Sequence, residues 1–132
     1  MFSLSGQLKL FCNYDGSNEY EPYGFLTMDF GSNITGISFW NVTKETNSLS
    51  VPINTEYTVP LAYSFIESTA FSETGWITLH GMAIEGDILT VDDSIGDYDG
   101  QLFKVISIME KELTKRFYGD SGSYVDISLK MK

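Results

Sequence analysis

A chain of 132 residues has the length of one domain and can bury roughly two thirds of its unfolded surface around one core. Its 42% hydrophobic and 14% aromatic content, with nine Phe, eight Tyr and two Trp, favours strands, where flat side chains pack on a pleated face. A formal net charge of −10 argues against nucleic acid or an anionic membrane as a partner and for a basic protein.

No apolar run approaches the ~18 residues of a membrane span. The opening segment, Met1 to Cys12, lacks a basic leader and a small-residue cleavage site. Cys12 is the single cysteine and cannot form an internal disulfide, so a reducing, cytoplasmic setting is expected. In that setting the Asn33 and Asn41 sequons read as polar strand residues.

In chain order, the first strand alternates Leu8, Leu10 and Cys12 against Gln7, Lys9 and Phe11, then breaks at a turn cluster around Asp15-Gly16. The next places Gly24, Leu26, Met28 and Phe30 on one face and Tyr23, Phe25, Thr27 and Asp29 on the other. A third strand follows the Gly31-Ser32-Asn33 turn. Pro52 and Pro60 cannot donate to a ladder, which puts the following segment at a sheet edge or breaks it. Residues 75–93 read as two strands joined near Glu85-Gly86-Asp87, with Ile77, Leu79, Gly81 and Ala83 facing away from Trp76, Thr78, His80, Met82 and Ile84.

The period then changes. Leu102, Val105, Ile106, Met109, Leu113 and Phe117 form an i, i+3, i+4, i+7 stripe, which predicts a helix over about 100–118. Asp97 or Asp99 would cap its start and Gly119 would stop it. Val125, Ile127, Leu129 and Met131 then mark a half-buried last strand. The fold class expected is mainly β (α+β), a curved antiparallel sheet or small β-barrel of about seven or eight strands with one amphipathic helix before the last strand.

Gly119-Asp120-Ser121-Gly122 resembles the segment around the nucleophile of chymotrypsin-like serine proteases, and His80 precedes it as that family's order requires. The likeness would make Ser121 the nucleophile. However, His80 lacks the family's alanine-histidine-cysteine context, and one short domain is too little chain for the two barrels of that active site. The segment therefore reads as a turn, and no catalytic residue is assigned. Asp92, Asp93, Asp97 and Asp99 supply oxygens of the kind a hard cation takes, but the calcium-loop pattern fails. It would put Ile95 at the first ligand position and Ile106 where the bidentate glutamate belongs. One His and one Cys do not make a dedicated zinc site, and no glycine-rich phosphate loop is present. No metal and no cofactor is expected.

The acidity is uneven. Residues 1–103 hold 14 acidic side chains against Lys9 and Lys44, whereas residues 104–132 hold four against six bases. Tyrosines fall among the acids in two segments, Tyr14, Asp15, Glu19, Tyr20, Glu21 and Tyr23 in the first and Asp97, Tyr98 and Asp99 in the second. Tyrosine gives large, stiff contact area and carboxylates steer a cationic partner, so these nine residues are the expected contact set for a basic protein surface.

The function expected is a non-enzymatic acidic binding protein that neutralises its partner, of the immunity or anti-defence inhibitor type. Two alternatives are a small barrel holding an apolar or aromatic ligand among Phe25, Phe39, Trp40, Tyr63, Phe65 and Trp76, and a subunit of a larger assembly such as a phage particle. Self-association into a homo-oligomer belongs with the latter.

Overall fold

The computed structural model describes residues 2–13, 18–45, 49–65, 74–86 and 92–132. Among the described residues the chain is mostly strand, in antiparallel sheets with a single short α-helix. Strands β1 (Phe2–Phe11), β5 (Glu56–Phe65), β9 (Leu113–Tyr118) and β10 (Tyr124–Met131) form a four-stranded sheet in the order β5-β1-β10-β9. Strands β2 (Glu19–Phe30), β3 (Ile34–Val42), β6 (Trp76–Gly86) and β7 (Asp93–Asp97) form the second in the order β3-β2-β6-β7. The two-residue β4 (Val51–Pro52) joins β2, and β8 (Leu102–Lys104) joins β6.

The alternation read in the sequence sets the inner faces. Leu4, Leu8 and Leu10 of β1 and Val125, Ile127, Leu129 and Met131 of β10 are buried against Leu26, Met28 and Phe30 of β2 and Ile77, Leu79 and Ala83 of β6. Each such side chain other than Ala83 contributes about 1.5–3 kcal/mol when fully buried. Along one flank Phe30, Phe39 and Tyr63 join the layers, with the Phe30 and Tyr63 rings stacked at 5.5 Å and Phe39 edge-on to Tyr63 at 6.0 Å. The result is a two-layer sandwich rather than one curved sheet or a closed barrel. The ring set expected inside a barrel is accordingly divided. Trp40 is buried, while Phe25 and Trp76 are 39% and 43% exposed; the side chain of Phe65 lies outside the described residues.

Pro52 falls in the short β4 and Pro60 in β5, which among the described residues is an edge strand paired with β1. The helix is shorter than its stripe suggests. Helix α1 spans only Val105–Glu110, and residues 113–118 are strand β9, paired with β10 from Tyr124↔Tyr118 to Leu129↔Leu113. Leu113 and Phe117 lie four apart, a spacing that keeps two side chains on one face of a helix and of a strand alike. The cap residue of α1 is Lys104, with no side-chain capping bond, so neither Asp97 nor Asp99 caps it. Gly119 stops no helix; it joins β9 to a 3-10 turn at Asp120–Gly122, with a φ of −108°. An added Cβ at Gly119 would fall 2.2 Å from the Ser94 carbonyl oxygen, so close approach to β7 requires glycine there.

Strands β7 and β8 lie end to end along the free edge of β6. Asp97 pairs with Met82 and Leu102 with Thr78, and the turn between them keeps contact with β6 through Tyr98 N–H to Gly81, Gly100 N–H to Leu79 and Leu79 N–H to Gln101. This interrupted strand delivers Asp97, Tyr98 and Asp99 to the sheet edge beside the middle of β6.

Candidate binding face

The outer face of the six-stranded sheet follows from strand periodicity. With Leu26, Met28 and Phe30 turned inward, β2 presents Tyr23, Phe25, Thr27 and Asp29 outward, and β6 presents Trp76, Thr78, His80, Met82 and Ile84. Register sets Tyr23 opposite Ile84, Phe25 opposite Met82, Thr27 opposite His80 and Asp29 opposite Thr78. Phe25 and Met82 are 39% and 37% exposed, and with Tyr23, Val42 and Ile84 they line an open groove of about 430 Å³. Trp76 and Leu102 form a second exposed apolar area further along β6, with the Lys104 ammonium 5.2 Å from the Trp76 ring centre.

The outer face of the other sheet is built differently. Ser3, Ser5, Gln7 and Lys9 of β1 lie beside Ser64, Thr58 and Glu56 of β5 and Asp126, Ser128 and Lys130 of β10. Its aromatic pair, Phe11 and Tyr124, is stacked at 4.8 Å, and the Arg116 guanidinium covers Tyr124 at 3.7 Å while pairing with both carboxylate oxygens of Asp126 at 2.8 Å. Those rings are closed by their own neighbours.

Acids rim the apolar rows. Asp92 accepts from the Tyr23 hydroxyl at 2.6 Å and from the Lys44 ammonium at 2.8 and 2.9 Å. Burial, reinforced by Asp92, pushes the Tyr23 phenol up to about 12. Asp97, opposite Met82, accepts from the Asp99 N–H at 3.0 Å. Glu21 is exposed on β2.

At the centre of the face stands His80, the chain's one histidine. Its Nε2 meets Asp29 Oδ2 at 2.8 Å and its Nδ1 lies 3.4 Å from Asp99 Oδ1, while Gly36 N–H donates to Asp29 Oδ1 at 2.8 Å and Gly81 N–H to Asp99 at 3.3 Å. The bond from Gly36, and then His80, holds the Asp29 carboxyl below its ordinary value. The bond to Asp29 raises His80 against the opposing effect of desolvation.

Of the nine expected contact residues, Glu21, Tyr23, Asp97 and Asp99 come together on this face. Glu19 starts β2 and accepts from the Ser50 hydroxyl at 2.5 Å. Tyr20 and Tyr98 require correction, for both are fully buried. Tyr20 donates to the carbonyls of Leu10 and Thr55 at 3.1 and 2.9 Å, and Tyr98 to that of Phe25 at 2.5 Å. A phenol can enter a core when its hydroxyl finds a backbone acceptor, and that satisfied geometry makes both rings core side chains. Tyr14 and Asp15 lie outside the described residues. Phe25, Met82 and Ile84 were missed, although both faces of β2 and β6 are apolar in the sequence, unlike a strand with one solvated side.

Asp92, Asp97 and Asp99, three of the four acids weighed for a cation, have partners of their own, and among the described residues no three His, Cys, Asp or Glu side chains are grouped to hold a metal ion. Ser121 sits exposed in the 3-10 turn with a φ of 56°, and both ring nitrogens of His80 face aspartates. Cys12 is buried, receives the Ser123 hydroxyl at 3.7 Å, and has its thiol pushed up to about 11, chiefly by that burial.

The class defined by these sheets is a two-layer antiparallel β-sandwich with an acid-rimmed, partly apolar outer face. Neither a protein-family model nor a curated protein sequence matches the chain. In solved structures it is similar to a chain of the crystal structure of the Cry23Aa1 and Cry37Aa1 binary protein complex, at 21% identity and a TM-score of 0.64, covering 100% of this chain and 98% of that one. That likeness establishes the fold. A weaker one, with a TM-score of 0.43 and 16% identity, is to 17% of the chain of human GIVD cytosolic phospholipase A2 in complex with methyl gamma-linolenyl fluorophosphonate, covering 98% of this chain. Among the described residues no helix is long and apolar enough to cross a membrane.

Proposed function

We propose that the chain is a non-enzymatic binding protein whose six-stranded sheet receives a basic protein partner on its outer face, in the manner of a neutralising inhibitor. One observation carries the reading. Phe25 and Met82 are exposed side by side with Tyr23 and Ile84 as one apolar row, whereas the outer face of the opposite sheet is mostly polar, its Phe11–Tyr124 pair covered by Arg116 and Tyr118 exposed at the end of β9. Apolar side chains at the centre of a patch with charges at its rim are the ordinary make-up of a protein interface. Asp97, Asp99 and Glu21 give that rim the sign that attracts cationic side chains, in keeping with the net charge of −10. The similar sandwich belongs to a binary protein complex, which agrees with association as a use of this fold.

The test compares the intact protein with a Phe25→Ser, Met82→Ser double variant as immobilised bait in an extract of the source cells. The expected result is a basic protein retained at fixed stoichiometry by the first, released by salt and lost by the second. Equal retention by both baits would remove this face from the account. Reversible self-association abolished by the same two substitutions would make a second copy of the chain the occupant instead.

A further inference from the structure

The middle of the proposed docking face is occupied by the chain's one histidine, held between two carboxylates. We infer that His80 gives the face its own pH control, its imidazolium pairing with Asp29 and Asp99 in the free protein and giving up one N–H proton to solvent, to become neutral imidazole, when a cationic partner takes those carboxylates. The inference rests on the docking reading above and adds a regulation to it.

The geometry sets up the competition. Asp29 comes from β2 and Asp99 from the turn between β7 and β8, and His80 on β6 bridges them at 2.8 and 3.4 Å. The His80 side chain is 38% exposed and that of Asp99 59%, so a partner's guanidinium or ammonium can reach the same oxygens. Other charges on the face lie further along it. Asp97 turns its carboxylate to the Asp99 N–H, Lys104 rests over Trp76 near one end of β6, and Lys44 is held by Asp92 toward the other. The Phe25–Met82 pair lies one row along the face from the Thr27–His80 pair, so a partner seated on the apolar rows brings its flanking cations to His80.

The sign follows from linkage. The Asp29 bond raises the proton affinity of His80 in the free protein. A bound cation repels the imidazolium and takes up its carboxylates, lowering that affinity in the complex. Binding therefore releases a proton between the two values, and affinity increases with pH across that window. A difference of one unit between free and bound states corresponds to about a tenfold gain in affinity.

The experiment uses a synthetic peptide of alternating arginine and leucine as the probe and follows the protein by NMR, where a single histidine gives a single imidazole titration. The expected result is that the peptide shifts the resonances of Phe25, Met82 and Ile84. Its dissociation constant should fall about threefold to tenfold as pH rises through the His80 midpoint, and that midpoint should drop when peptide saturates the protein. His80→Gln should bind with little dependence on pH. If His80→Gln keeps the wild-type pH profile, or peptide leaves the His80 midpoint in place, the inference is overturned while docking on this face stands. If peptide perturbs the face at no pH, in either protein, docking itself fails and the inference with it. Should His80→Gln not fold, Asp99→Asn retains the Asp29 bond, and both the His80 midpoint and the binding profile should move to lower pH together.

Discussion

Tyr20 belongs to the six-stranded sheet but donates to carbonyls at the end of β1 and just before β5, so one phenol ties the two layers together. Tyr20→Phe removes the phenol's proton from the buried Leu10 carbonyl and the part-buried Thr55 carbonyl and should cost about 1–2 kcal/mol, a fall in Tm of roughly 4 °C per kcal/mol, measured by thermal denaturation. Gly81 is more constrained. Its φ is +137°, and an added Cβ would fall 2.0 Å from the Phe25 carbonyl oxygen and 2.9 Å from the Tyr98 ring. Gly81→Ala should cost more than about 2 kcal/mol in urea unfolding, because both backbone and ring must shift. Asp29 and His80 together shape the pH profile of stability. His80 is raised from 6.5, so its contribution is complete below that value and is lost as pH rises through the folded value. Asp29 is lowered from 3.8, so its contribution is complete above that value and lost as acid titrates the folded carboxyl. The pair is thus most stabilising between about 3.8 and 6.5. Asp29→Asn should flatten the wild-type decline in unfolding free energy above that window; an unchanged slope would show that the pair is uncoupled in solution.

At the scale of elements, α1 and β9 separate two readings of one apolar pattern. Ile108 is fully buried, whereas Ile106, on the predicted helical stripe, is 43% exposed. Ile108→Ala should therefore cost about 2–4 kcal/mol and Ile106→Ala under about 0.5, the reverse of what a helix over about 100–118 on that stripe would give. The strands were legible because alternation over five or more residues fits one period, as in β1, β2, β6 and β10. Residues 102–117 were ambiguous because spacings of four satisfy both periods, and the deciding factor, a free edge of β10 available for pairing, is a contact distant in sequence. The division into two sheets was likewise out of reach, since pairing of β1 with both β5 and β10 is set by the whole chain. The binding face was half legible. Glu21, Tyr23, Asp97 and Asp99 stood out by composition, yet only the register of β2 on β6 shows that Phe25 and Met82 complete their surface and that Tyr20 and Tyr98 do not share it.

For the whole molecule, charge sets stability against binding. Fourteen acids oppose two bases over residues 1–103, and the ion pairs Lys44–Asp92 and Lys9–Glu56 can offset only a small part of that repulsion. Such exposed pairs are individually worth little, and net charge of one sign opposes the compact state. Added salt should screen the repulsion more than it weakens the pairs. Raising NaCl from about 10 mM to about 0.3 M, which shortens the Debye length from roughly 30 Å to under 10 Å, should therefore raise Tm by a few degrees. The same screening should slow association with a cationic partner, because the acids that repel one another within the sandwich are those that draw the partner in. Measured side by side, the two salt dependences should run in opposite directions. A Tm that falls with salt would place the balance with the ion pairs, leaving the acidic body without the excess field on which steering depends.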